Sequence, residues 1–355
     1  MVKVVYFNQW FSSIAWVIED LKKRNKNQVK IIASSRNKNH AYKDYVDEFI
    51  VEDWVETKNH RESMDNYVKW VLNLCKEYKV DYFFVKKHSS DITKHIEEFS
   101  LSGTFLITER YETLKSMESK AMVYQKLSEN EELKRYIPMY INSENGIEIT
   151  RTLLEHRGKN DLCLKFDSDE GGASFRAIDD TPVTIDSLNS FRVNKITTDE
   201  AIRTVITADK PGRLIIMEKL DSPEISVDCY NSKQGFIAIC RAKEEGRVEH
   251  IYYNSELSEL CCKIGDILGL KFPYNVQFRY KASEKTDGDE KQIMLLEVNP
   301  RMSGGLYYEV TNGLNIADIC LKDCMNRDRE YNIDKYIGFK DKYVTHLELP
   351  INVEK

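Results

Sequence analysis

Apolar and polar positions follow two different periods along the first 108 residues, and the two alternate. Short apolar runs at Val2–Phe7, Val29–Ala33, Val80–Val85 and Thr104–Thr108 predict strands. Between them, apolar residues recur at three- and four-residue spacing. Ser12 or Ser13 caps one predicted helix, with Ile14, Val17, Ile18 and Leu21 on its apolar stripe. Met64–Tyr78 predicts a second, striped by Met64, Tyr67, Val68, Val71, Leu72 and Cys75, and Asp91–Phe99 a third. This alternation predicts a small, mainly parallel α/β sheet.

The pattern then changes. Residues 109–136 predict a helical connector, and 147–210 a smaller α+β unit. In it Thr197 and Glu200 form a capping box for a helix running to about Ala208. Residues 211–325 carry several strands and a closing helix, and Tyr343–Leu349, stopped by Pro350, reads as one more strand. The expected division is 1–110, 111–212 and 213–355, an α/β and α+β multidomain chain.

Composition narrows the class. The 355 residues are 41% hydrophobic and 31% charged, with a net charge of −6. That reads as a soluble globular protein, and argues against a dominant nucleic-acid surface or a general attraction to membranes. The basic clusters Lys22–Lys26 and Lys86–Lys87 are short and read as solvated faces. Eight cysteines show no Cys-x-x-Cys pair, and no apolar run is long enough to cross a bilayer. A cytoplasmic protein with reduced thiols is the expectation. The turn after the first strand, Asn8-Gln9-Trp10-Phe11-Ser12, lacks the glycines that a dinucleotide pyrophosphate needs, which disfavours a nicotinamide oxidoreductase. No histidine falls at metal-ligand spacing; His250 and His346 read as structural.

The candidate chemistry concentrates near the end of the last large segment. Read as a strand, Met294–Val298 points Met294, Leu296 and Val298 into a core. Glu297, Asn299 and Arg301 then share the other face, ahead of the loop Ser303-Gly304-Gly305. Upstream, Asn275–Tyr280 alternates in the same way, with Val276, Phe278 and Tyr280 inward. Folding the chain back about the turn dipeptide Asp287-Gly288 sets Gln277 opposite Glu297 or Val298. Gln277, Glu297 and Asn299 converge as oxygen donors suited to a hard divalent cation.

Lys165 stands in Leu162–Phe166, where Leu162, Leu164 and Phe166 face the core and Lys165 the opposite side. The following segment carries Asp167, Asp169 and Glu170, then Gly171, Gly172, Ala173 and Ser174. Such a turn presents backbone N–H groups to phosphate oxygens or swings as a lid; an acidic hairpin turn is the other reading.

These segments together resemble the ATP-grasp superfamily. The run Glu297-x-Asn299-Pro300-Arg301 with its small residues is most similar to the branch typified by the carbamoyl-phosphate synthase large subunit, and the likeness covers roughly residues 1–325. It implies an N-terminal parallel α/β pre-ATP-grasp domain followed by a two-lobed ATP-grasp fold. It implies that Lys120, Lys165 and the turn Gly171–Ser174 contact ATP phosphates. Family members usually carry Asp where Ser119 stands. It further implies that Met217, Glu218, Lys219 and Leu220 form the adenine hinge and that Glu224 binds ribose. Gln277, Glu297 and Asn299 would hold Mg²⁺, or Mn²⁺. Arg301 and Lys165 would serve catalysis, and Arg301, Ser303, Gly304 and Gly305 the substrate. Arg241, at the end of the predicted strand Phe236–Arg241, is a second candidate for a phosphate or carboxylate contact at the substrate, with a surface arginine as the alternative. The implied activity is a carboxylate–amine ligase that works through an acyl phosphate and releases ADP. Its substrates would be small carboxylates and amines, amino acids among them, and a homodimer is the assembly common among such proteins. A phosphotransferase and a non-catalytic nucleotide-binding regulator are the alternatives.

Overall fold

The computed structural model describes residues 2–168, 172–182, 184, 194–210, 212–282, 292–325 and 341–346. The chain divides into two compact units: residues 1–116, 225–276 and 298–355 form one, and 117–224 and 277–297 the other.

The first unit begins with β1 (Lys3–Asn8), β2 (Val29–Ser35), β3 (Glu48–Val51), β4 (Tyr82–Phe84) and β5 (Phe105–Ile107). They form a parallel sheet in the order β3-β2-β1-β4-β5. Alternation along β1 sends Val5 and Phe7 to one apolar cluster and Tyr6 to another, so both faces are covered, as a parallel sheet requires. The helix Ile14–Asn25 covers one face and His60–Glu77 the other. Asn59 caps the latter through its side chain.

Three local expectations differ. The strand β3 is additional to those the apolar runs predict. The expected helix Asp91–Phe99 is two short helices, Ser89–Thr93 and Ile96–Leu101. Neither serine side chain caps the helix at Ile14; the Ser13 hydroxyl donates instead to the Gly304 carbonyl at 2.7 Å.

The second unit holds β6 (Tyr140–Ser143), β7 (Leu162–Phe166), β8 (Arg176–Ile178), β9 (Lys195–Ile196) and β10 (Leu214–Glu218). Their order is β6-β10-β7-β8-β9, antiparallel except for β8 with β9. Helices Gly146–Glu155 and Thr198–Thr207 supply Ile149, Leu153, Ala201 and Val205 to a core with Leu162, Leu164, Leu214 and Ile216. The Thr197–Glu200 capping box is present. Phe166 corrects the expected alternation: it is 47% exposed, at the strand end, with its ring beside Gly212.

A third sheet runs β15 (Ile293–Asn299), β14 (Tyr274–Lys281), β11 (Leu220–Ser232), β12 (Gly235–Lys243), β13 (Val248–Tyr252), β16 (Lys342–Thr345). β14 and β15 are neighbours, as the fold-back predicts; Asp287-Gly288 lies outside the described residues. The tail strand pairs with β13, where Tyr343 stacks on His250 at 4.5 Å. In β15, Met294 and Val298 are buried as expected, but Leu296 is only partly covered. Leu295, on the opposite face, is buried, its N–H bound by the Tyr136 carbonyl at 2.7 Å. All eight cysteines are free, and among the described residues no helix is long and apolar enough to cross a membrane.

Candidate functional site

Lys120 opens the helix Lys120–Ser128, and its position is set by a carboxylate far away in sequence. Ser119 caps the helix by accepting from Met122 N–H at 3.1 Å. Its hydroxyl donates in turn to Asp167 Oδ2 at 2.5 Å, and Asp167 Oδ1 accepts from Ala121 N–H at 3.0 Å. Asp167 is 2% exposed. The first of the three acids ahead of the glycine turn is therefore a buried helix-capping group, placed where the helix dipole favours negative charge. It brings a carboxylate to the helix start, where the chain itself has Ser119.

Lys120 Nζ lies 3.8 Å from Glu297 Oε2, with both side chains largely shielded. This joins two predicted residues from opposite ends of the second unit. The Tyr124 hydroxyl, one turn further along the same helix, donates to the Leu296 carbonyl at 2.6 Å and so ties the helix to β15 next to Glu297. Lys165 is 6% exposed on β7, on the face away from Leu162 and Leu164. The Ser174 hydroxyl accepts from Phe166 N–H at 2.8 Å and anchors the glycine turn to the end of that strand. Gly172 has φ +68°, a left-handed conformation open to glycine. Ala173 is exposed, and Gly171 lies outside the described residues.

Lys219 separates β10 from β11. Its N–H donates to the Asp161 carbonyl at 2.7 Å and its ammonium to the Asn160 carbonyl at 2.9 Å. Glu218 is turned to the chain itself: its N–H meets Met139 O at 3.0 Å and its carboxylate Met139 N–H at 2.9 Å. Met217 is 1% exposed and Leu220 7%. Glu224 accepts from Arg279 Nη2 at 3.1 Å, a partner the sequence reading did not name. Gln277 is half-buried on β14, between the buried Val276 and Phe278.

In the first unit, Asn299 ends β15 and Arg301 follows it. The Arg301 guanidinium lies over the Phe11 ring, 5.1 Å from its centroid. Arg241 is buried, 4% exposed. Its Nε and Nη2 donate to Asp228 Oδ2 at 3.0 and 2.9 Å, and Nη2 also to the hydroxyls of Ser226 and Ser303 at 3.0 and 2.9 Å. The Ser303 hydroxyl donates to Asp228 Oδ2 at 3.0 Å, and Asn275 donates to Asp228 Oδ1 at 3.0 Å. Glu249 and Glu309 lie 3.6 and 3.7 Å from the same guanidinium. Arg241 thus holds up the Ser303–Gly305 loop from beneath. Its place at a strand end left open a phosphate or carboxylate contact or a surface arginine; the acids that bury it, Asp228, Glu249 and Glu309, carried no recognisable signal.

Two kinds of likeness accompany this geometry. Residues 210–347 match the family described as ATP-grasp in the biosynthetic pathway with Ter operon. Among solved structures, the biotin carboxylase domain of Hydrogenobacter thermophilus 2-oxoglutarate carboxylase, in complex with MgADP, ADP and bicarbonate, aligns at a TM-score of 0.63 and 14% identity, over 95% of this chain and 72% of that one. Staphylococcus aureus N5-carboxyaminoimidazole synthetase complexed with ADP aligns at 0.62 and 12%, over 92% and 78%. A Campylobacter jejuni biotin carboxylase complex aligns at 0.62 and 13%, over 93% and 72%. No curated protein matches by sequence. The chain has the ATP-grasp fold: a parallel α/β domain with ATP-grasp lobes.

Proposed function

We propose that this protein is an ATP- and Mg²⁺-dependent ligase that joins a carboxylate to an amine through an acyl phosphate, releasing ADP and phosphate. The observation that carries the reading is the Lys120–Glu297 pair, built by Asp167 and Tyr124 beside the run Glu297-Val298-Asn299-Pro300-Arg301. Gln277, Glu297 and Asn299 offer only oxygen donors to a metal, the chemistry a hard cation prefers, and would hold it in this reading. When bound, Mg²⁺ supplies charge neutralisation at the phosphates.

The chain's own residues do the rest. Lys120 and Lys165 hold phosphate oxygens, with Gly171–Ser174 closing over them and excluding water from the acyl phosphate. Met217–Leu220 receive the adenine and Glu224 the ribose. The Arg301 fork stabilises the charge that spreads over the transferred phosphoryl group. The Ser303–Gly305 loop, braced by Arg241, presents N–H groups to the substrate. No side chain is needed as a nucleophile. The structural neighbours in complex with ADP or MgADP support the nucleotide part of this reading, and the sequence run supports its carbamoyl-phosphate-synthase-like branch.

The test is ADP release from MgATP with pooled amino acids and small carboxylates, followed by product analysis. An amide is expected. A stable phosphoester would replace the ligase with a phosphotransferase. Absence of MgATP binding to the folded chain would remove the reading altogether.

A further inference from the structure

Alternation along β14 buries Val276 and Phe278 completely and leaves Gln277 and Arg279 together on the opposite face. Arg279 thus shares a face with a proposed metal ligand, within the second unit of the chain. It reaches across to the neighbouring strand β11, where its Nη2 donates to Glu224 Oε2 at 3.1 Å. Glu224 is the acid assigned above to the ribose. The Arg279 Nε is buried and has no hydrogen-bond partner among the described residues. A buried donor of a charged group left unpaired costs free energy until an acceptor arrives.

The surroundings of Arg279 are those of the proposed nucleotide. Burial pushes the Cys163 thiol up to about 11, against the downward pull of Lys165, then Arg279 and Lys219. Cys163 pairs across the sheet with Met217, so Arg279 acts near the strands that carry the proposed phosphate and adenine contacts. A cross-strand ion pair needs only Nη2, which leaves Nε unexplained. A carboxylate only accepts and a guanidinium only donates, whereas a sugar hydroxyl does both. A hydroxyl beside this pair gives its proton to Glu224 and receives the N–H of Arg279. The α-phosphate is the other acceptor a nucleotide offers, but the Glu224 carboxylate repels it and welcomes a hydroxyl. The guanidinium is planar, so fixing Nη2 on Glu224 also restricts the direction of Nε–H.

We propose that Arg279 is a specificity-determining residue of the nucleotide site. It donates Nε–H to a ribose hydroxyl that Glu224 holds from the other side, and the site thereby selects ribonucleotides over deoxyribonucleotides. A site built to hydrogen-bond a hydroxyl rejects the analogue that lacks it, because a buried polar group is then left unpaired. This rests on the reading of the second unit as an ATP site, and adds a contact which that reading does not contain.

The test is titration calorimetry of the full chain with MgADP, its 2′-deoxy and 3′-deoxy analogues, and adenine alone. The parent should bind MgADP about tenfold or more tighter than at least one analogue, the scale of a hydrogen bond to a charged group. R279M should shrink that ratio to about twofold or less, with adenine affinity unchanged. R279K keeps a positive charge for Glu224 but lacks the fork, and should lose the ratio as well. Each variant is read as a ratio between ligands, so a general weakening of the site cancels. Equal affinities in the parent, or a ratio that R279M leaves intact, overturn the proposal. Full retention of the ratio in R279K would assign the effect to charge and overturn the role of Nε. MgADP binding with the expected ratios but no amide product strikes the ligase reading and leaves this contact standing. Absence of MgADP binding removes both.

Discussion

A methyl group on Gly305 would overlap the guanidinium of Arg241. Gly305 has φ −92°, which any residue adopts, so space and not backbone conformation is what calls for glycine here. The guanidinium has little room to retreat, since Asp228, Ser226 and Ser303 all hold it. G305A is expected to lose about 1–3 kcal/mol of stability, the usual cost of overpacking a filled interior. Urea denaturation measures this, and an unchanged midpoint would show that Arg241 moves freely.

Glu309 makes the same cluster sensitive to pH. Burial foremost, and then the neighbouring charge of Asp228, hold its carboxyl well above the usual carboxylate range; Arg241 pulls the other way. The folded chain therefore keeps a proton that the unfolded chain gives up once pH exceeds the ordinary glutamate value. The associated stability is complete below that value and is lost as pH rises toward the folded one. E309Q, neutral throughout, does not suffer this loss. Its stability relative to the parent should improve from pH 5 to pH 9, by at most about 1.4 kcal/mol per pH unit. Parallel stability curves for the two proteins would sink the argument.

The ATP-grasp resemblance leads one to expect an aspartate at position 119, yet placing one here should harm the protein. Ser119 Oγ sits 2.5 Å from Asp167 Oδ2, so S119D sets two carboxylates against each other. A loss of about 1–2 kcal/mol is expected, the scale of a disrupted cap. D167S in the same chain removes the opposing charge and leaves the introduced aspartate to cap the helix, so the double variant should recover most of the loss. A double-mutant cycle on unfolding free energies reads the coupling. Additive effects would mean that Asp167 is not the missing cap.

What could be read from the sequence was local. The strands β1 and β2, the stripe of the second helix and the Thr197–Glu200 capping box depend on residues within a turn or two of each other. The short strand β3 has an apolar run of only three residues, Phe49-Ile50-Val51, set between acids and none of it fully buried, too short to announce a strand. Ser13 looks like a cap until the Gly304 carbonyl, 291 positions away, takes its hydroxyl. Asp167 and Arg241 look like surface charges for the same reason: their partners come from other segments. The row from Glu297 to Arg301 was legible because strand alternation alone puts those side chains on one face.

Arg301 should separate chemistry from binding. If its fork acts on the transferred group, R301A lowers turnover by about 10²–10³ while MgATP affinity changes by only a few-fold. Steady-state ADP release alongside calorimetry measures both. An equal fall in the two would make Arg301 a binding residue only.

Glu297 should do the reverse. It faces Lys120 at 3.8 Å, and an ammonium and a divalent cation compete for the same carboxylate. E297Q keeps the shape and removes the charge that both cations seek. The apparent affinity for Mg²⁺ in the presence of ADP should fall about tenfold or more. Binding of adenosine, which has no phosphates, should be unchanged, since the proposed adenine contacts at Met217–Leu220 are untouched. K120M should weaken ADP but not adenosine, and without its ammonium Glu297 should take Mg²⁺ more tightly in the absence of nucleotide. Adenosine affinity lost in step with ADP would point to a collapsed fold, which circular dichroism detects. Mg²⁺ affinity unchanged by E297Q would place the metal elsewhere.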